Sequence, residues 1–232
     1  LIKKYSNNDK KNPLKMDGEK NSFVWNMRYD DAKGFDGLIM WAASLRGPKA
    51  SPGNYFVRLN VDENSMERSF NILKDPRSNS SIEDLKKQFD FLISVRDKVT
   101  SVHEAIIQIR STRKQLNDLK EKLDENHNEL KKNINKVINS ITKIEKTLYQ
   151  TKNRSGQDPL NFPIKLNNKL AHLASVASSG NYKPTDQMYG VRDELIKKID
   201  IELDLWNDIK RNKLEKINTA IKESNIQLIS IN

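Results

Sequence analysis

Residues with the chemistry for catalysis or metal binding are few and scattered in this chain of 232 residues. The histidines His103, His127 and His172 match no metal-ligand spacing such as HExxH, and no cysteine is present to supply a thiolate or a disulfide. His103 stands beside Glu104 on a helical stretch and reads as half of a surface pair. No GxSxG, Walker loop or GxGxxG occurs. Acidic residues on the helical stretches mostly alternate with lysines, the pattern of a solvated helix face. None of them stands out as the carboxylate pair that a glycosidase sets across a sugar. The densest polar run is Ser155 to Pro163, in which Gln157, Asp158 and Asn161 could meet a ligand. The same side chains suit Asx-type turns and the capping of a following helix. Trp25 and Trp41 are candidate sugar platforms, but Trp25 shares a strand face with Phe23, Met27 and Tyr29 and so reads as core. Trp41, Gln157, Asp158 and Asn161 remain as interface candidates. No catalytic, cofactor-binding or metal-ligating residue is assigned.

The elements that would position these residues are mostly helices. From Ser81 to Leu123 apolar residues step by three and four: Leu85, Phe89, Leu92, Val95, Val99, Val102, Ile106, Ile109, then Leu116, Leu119 and Leu123. That spacing predicts one long amphipathic helix, opened by a Ser80–Glu83 capping box. A second stripe, Leu130, Ile134, Val137, Ile141, Ile144 and Leu148, follows in the same register. Asp124 to Asn128 between them holds poor helix formers, which predicts a turn and an antiparallel hairpin rather than one continuous helix. Pro163 suits the first turn of a shorter helix carrying Ile164, Leu166, Leu170, Leu173 and Val176, stopped by Ser178-Ser179-Gly180. Thr185 caps a last long helix with the stripe Val191, Leu195, Ile199, Leu203, Trp206, Ile209, Leu214, Ile217 and Ile221.

Ahead of the helices the period drops to two. Phe23, Trp25, Met27 and Tyr29 alternate with Val24, Asn26 and Arg28. Tyr55, Val57, Leu59 and Val61 do the same after the Pro52-Gly53 turn. Asp62 to Ser65 reads as a hairpin loop, Met66 to Leu73 as a return strand with Phe70 and Ile72 inward, and Leu38 to Trp41 as a further short strand. Leu1 to Tyr5 reads like the middle of a strand, as if cut from a longer chain. The expected fold is α+β: a small immunoglobulin-like antiparallel sandwich over residues 1–77, then an antiparallel bundle of three long helices and one short helix over 78–232.

The formal charge of +10 raises the question of nucleic acid. The basic excess is thinly spread and mixed with acids over 1–60 and 110–152, which argues against such a partner. No run of about 18 apolar residues exists to span a membrane, and no signal peptide opens the chain.

Several stretches in order carry a resemblance. They are Asn21 to Tyr29, Gly47-Pro48 with Pro52-Gly53-Asn54-Tyr55, Asp75-Pro76-Arg77, Gln88-Phe89, Ile109-Arg110, Leu148-Tyr149-Gln150, the Gly156 to Pro163 loop, and Pro184-Thr185. Together they resemble the C-terminal region of large secreted bacterial proteins with sortilin-like (VPS10) or BNR-repeat β-propellers, often labelled glycosyl hydrolases. The Asp-box of BNR repeats is absent here, so no catalytic residue carries over. The resemblance implies an exported protein, secreted, cell-surface or periplasmic, in which this region is a non-catalytic tail. It would dock on its own upstream propeller or on a partner protein, with any carbohydrate contact made through the parent. Two alternatives stand beside it: completion of a glycosidase pocket at the propeller interface, and helix-mediated assembly.

Overall fold

The computed structural model describes residues 1–9, 13–15, 18 and 21–223. Over these the chain is a mixed α+β protein, mostly helical, with one two-stranded antiparallel sheet. The helical part follows its apolar periodicity closely. Helix α1 spans Ile82–Lys122. Its 41 residues make a rod about 60 Å long. Ser81 starts it, accepting the Asp84 amide while the Asp84 carboxylate accepts the Ser81 amide. The capping box therefore lies one residue later than expected; Ser80 donates instead to the Asn181 carbonyl. Most of the expected stripe is buried from Val95 to Leu123, whereas Leu85, Phe89 and Leu92 are half-buried and Phe91 fills the core at that end.

The predicted turn is present. Asp124 accepts the Asn126 amide and bonds His127 Nδ1 at 2.6 Å, closing a single 3-10 turn over Glu125–His127. Helix α2, Asn128–Leu148, then runs back along α1, as the contacts Lys120–Asn135 and Arg110–Glu145 require. All six residues of its predicted stripe are buried. Helix α3 spans Leu166–Ala177 and begins three residues beyond Pro163, whose carbonyl accepts Gln150 Nε2 at 2.8 Å. Val176 is exposed rather than part of its buried face. Helix α4, Asp186–Asp208, is capped by Thr185 as predicted, though Val191 in its stripe faces solvent. The helices pack on one another, α1 against α2, α3 and α4, and α2 also against α4.

The end of the last helix shows sequence and backbone answering each other. Its apolar steps are three or four except for the five-residue step from Ile209 to Leu214. The backbone widens into a π-helical turn over Ile209–Leu214, then returns to α-helix over Glu215–Glu223, here α5. The wide turn takes up the extra residue, so Ile209 and Ile217 are both buried.

The front of the chain departs from expectation. Strands β1, Gly53–Val61, and β2, Asn64–Ile72, form a hairpin with a two-residue loop, Tyr55 opposite Phe70 and Leu59 opposite Met66. Among the described residues this is the whole sheet, and the second layer of a sandwich is not formed. Residues 23–29 and 38–41, expected as strands, are irregular. Between 27–32 and 45–50 only a sparse ladder exists, Tyr29 to Pro48, Ala32 to Leu45 and Ala50 to Met27, with one isolated bridge at Arg28 and Lys49. Pro48 has no N–H to extend it. At Gly47 the chains come so close that a Cβ would collide with the Tyr29 and Asp30 carbonyls.

The physical reason lies in the helices. Their side chains satisfy the backbone groups that a neighbouring strand would have taken. Asn168 on α3 accepts the Trp41 amide at 2.7 Å and donates to the Trp41 carbonyl at 2.8 Å, as a strand neighbour would. The Tyr149 hydroxyl accepts from the Ile39 amide and donates to the Gly37 carbonyl. Arg96 donates to the Asp30 carbonyl, and Thr100 accepts the Lys33 amide. His103 is not a surface residue. It is 0% exposed, between the Lys33 carbonyl at Nδ1 and the Asn167 amide at Nε2. With the proton on Nδ1, the neutral ring is fully satisfied.

Two outcomes follow from these contacts. Deleting Arg211 shortens the five-residue step to four and removes the π turn without moving the stripe. The melting temperature should hold within a few degrees, whereas deleting Ser101 in α1 swings everything after it by about 100° and should abolish cooperative unfolding in circular dichroism. Burial also lowers the His103 pKa from its ordinary 6.5. As pH falls below that value the unfolded chain takes up a proton that the folded ring refuses. The contribution is complete above about 6.5 and is lost towards lower pH. Thermal melts between about pH 7.5 and about pH 5.5 should show a decline that flattens in His103→Gln; an unchanged slope would refute this assignment.

Candidate interaction surface

The four residues singled out in the sequence do not converge. Trp41 is 37% exposed, and its backbone is engaged by Asn168. Among the described residues no hydrogen bond joins it to the 155–163 loop. Within that loop Asp158 is a capping residue. Its carboxylate accepts the Arg154 amide, the Ser155 amide at 3.0 Å and the Ser155 hydroxyl at 3.0 Å. The Arg154 and Ser155 backbone bonds hold its carboxyl below the usual carboxylate range. Gln157 and Asn161 flank the 3-10 turn Asp158–Leu160 as its boundary residues, and the Asn161 amide closes the turn on the Asp158 carbonyl. The loop is thus organised by its own backbone. No group of three or more His, Asp or Glu side chains among the described residues could hold a metal ion. No helix among them is long and apolar enough to cross a membrane.

The surface that does stand out is the β1–β2 hairpin. Side chains alternate across a two-stranded sheet, so the register sorts them into two faces. On one face lie Tyr55, Val57, Leu59 and Val61 of β1, with Met66, Arg68 and Phe70 of β2. On the other, Arg58 and Glu67 pair at 2.8 Å beside Asn60, Ser65 and Ser69, with Phe56 the one large apolar side chain there, 64% exposed. The alternation read from the sequence is therefore right, but its apolar side is not buried. Val57, Leu59, Val61 and Met66 are 52–59% exposed. Only the root is covered, where the half-buried Trp25 packs against Tyr55 and Phe70 with ring centres 6.2 and 6.3 Å away, its indole N–H donating to the Arg28 carbonyl. A two-stranded hairpin is marginally stable in water, and its outer edges leave N–H and C=O groups free to pair. A contiguous apolar strip on such an element is the signature of a contact surface.

Two polar residues central to the fold escaped the sequence reading. Glu145 lies between Lys143 and Lys146 and looked like part of a solvated face, yet it is 2% exposed and held by Arg110 and Arg113 of α1. Its position four residues after Ile141 was the available signal. His103 likewise follows Val99 by four.

Comparison of the chain with protein-family models, with curated proteins and with solved structures returns no match.

The roles given to the loop can be separated by amide hydrogen exchange. Asp158→Ala should speed exchange at the Arg154 and Ser155 amides, while Gln157→Ala leaves both unchanged. In the wild type the same amides should loosen as pH falls through the ordinary carboxylate range, because the depressed carboxyl contributes above it and is lost on protonation.

Proposed function

We propose that this chain is a non-catalytic accessory module that docks through the bare face of its hairpin. The occupant is an apolar β-surface belonging to the propeller region of a secreted or periplasmic parent polypeptide. On this reading the hairpin is one half of a sandwich, the immunoglobulin-like arrangement expected from the alternating strands, with its opposing layer contributed from outside the described residues. The antiparallel helical bundle serves as the rigid spine that presents it. The observation that carries the proposal is the apolar strip Val57, Leu59, Val61 and Met66, exposed at strand period along one face of the hairpin. A helix or an irregular segment could cover such a strip face to face, but only a β-rich partner could also add a strand beside β1 or β2 and pair the open hairpin edges. The sequence resemblance to the tails of propeller proteins supplies the identity of the partner.

The test uses Val57→Asp with Leu59→Asp, in this chain and in the parent polypeptide. Exposed positions tolerate such changes within about 0.5 kcal/mol, so the helical melt should not move. In the parent, the hairpin amides should be protected in the wild type and exchange freely in the variant, with faster proteolysis between propeller and module. Equal exchange in both would refute docking by this face. Hydrolysis of glycosides by the isolated chain at ordinary enzyme rates, about 1–1000 per second, would refute the non-catalytic reading.

A further inference from the structure

On the side of α2 facing α3 and α4 lies an open cleft of about 860 Å³. Lys143 and Lys146 enter it from α2, Lys165 and Lys169 from the start of α3, and Lys198 from α4; the lining holds one carboxylate, Glu202. Lys198 is tied to Glu194 outside the lining. Among the described residues the other four lysines form no ion pair. Along the exposed face of α1, by contrast, Lys86, Lys87 and Lys114 each have a carboxylate four residues away, Asp90, Glu83 and Asp118.

Four ammonium groups around one concavity, none in a direct ion pair, repel each other and raise the local positive potential, although Lys169 lies within reach of Glu194 and Lys143 of Glu202. The first-turn amides of α3 add to it, since Lys165 at its N-cap provides no side-chain acceptor. Glu202 is the one carboxylate of the lining that offsets the field; burial pushes its carboxyl pKa up, opposed by Lys143. The lysines come as two pairs, each about one helical turn apart, one pair on each wall. One compact anion could satisfy one pair. Satisfying both takes a ligand with two or more anionic groups. Ile164, Leu166 and Ile201 also line the cleft, with Thr142 and Thr147, and allow an uncharged scaffold between those groups. Lysine, a strongly hydrated point charge, suits phosphate and sulfate oxygens without demanding a planar fork.

From this geometry we infer that the α2–α3–α4 cleft is a binding site for a multivalent oxyanion, carrying at least two phosphate or sulfate groups. The site is separate from the hairpin face and independent of the docking proposal.

Isothermal titration of the full chain with inorganic tripolyphosphate, and separately with a sulfated heparin-type hexasaccharide, tests it. Binding should weaken at least about tenfold between 50 and 200 mM salt. Lys146→Gln with Lys165→Gln should lower affinity by a further tenfold or more at low salt, by removing one charge from each wall. These changes lie at the surface, and an unchanged thermal melt confirms the fold. Lys86→Gln with Lys114→Gln alters net charge equally, away from the cleft, and should leave affinity within twofold. Saturable binding of tripolyphosphate supports a compact polyphosphate ligand, and binding of the hexasaccharide alone supports an extended sulfated one. Failure of both to bind at low salt, or equal losses in the two double variants, would overturn the inference.

Discussion

The carboxylate of Glu145 ties together more of this protein than any other single group. It is almost completely buried, and it is held by the guanidiniums of Arg110, at 2.7 Å, and Arg113. Transferring a carboxylate out of water is costly unless it is paired and hydrogen-bonded, and the two arginines meet both conditions. Losing both arginines would leave the buried Glu145 charge uncompensated, at about 3–5 kcal/mol. Arg110 also lies 4.7 Å over the Phe35 ring and 5.4 Å from that of Tyr149. Phe35 in turn meets His103 and Tyr149 edge-on. One charge cluster thus sets the register of α1 against α2 and seats the irregular layer on both.

That seating explains why residues 28–50 can be ordered without being a sheet. Backbone groups of Gly37, Ile39 and Trp41 bond to Tyr149 and Asn168, and Lys33 bonds to Thr100 and His103. Each donor or acceptor is fixed by a helix that is itself packed, so the layer inherits helical rigidity. Among the described residues the support shown for the hairpin is at its root, from the rings of Trp25, Tyr55 and Phe70, the Tyr55 hydroxyl on the Ser51 carbonyl and the half-buried Ile72. Local stability should therefore fall from the Glu145 cluster outward to the hairpin tip, the end from which binding elements are drawn.

The two proposed surfaces differ in chemistry as well as place. The hairpin strip is apolar, so water exclusion would drive contact there. The α2–α3–α4 cleft is cationic and open, and attraction there depends on ionic strength. Neither requires a catalytic group. A rigid helical spine that presents one surface for a protein and another for an anion is a coherent design for an accessory module.

The sequence by itself determined the helices. An α-helix closes its backbone bonds within four residues, so period, caps and breakers suffice. The α1 and α2 stripes, the Asp124 turn, the Thr185 cap and the five-residue step at Ile209 were all legible in this way. The hairpin was legible for the same reason, since its two strands are joined by a two-residue loop. The fate of residues 23–29 and 38–41 was not. A strand's partners lie far along the chain, and over 37–41 the side chains of Tyr149 and Asn168 took the place of a neighbouring strand. His103 was misread because adjacency to Glu104 describes neighbours in sequence, and Glu145 was hidden in the alternation with lysine, whereas burial depends on which helix face meets another. Of the candidate residues, Asp158 declared a capping role through its local spacing. The bare hairpin face and the lysine cleft came into view only with the tertiary structure, which decides what stays uncovered and which distant charges share a wall.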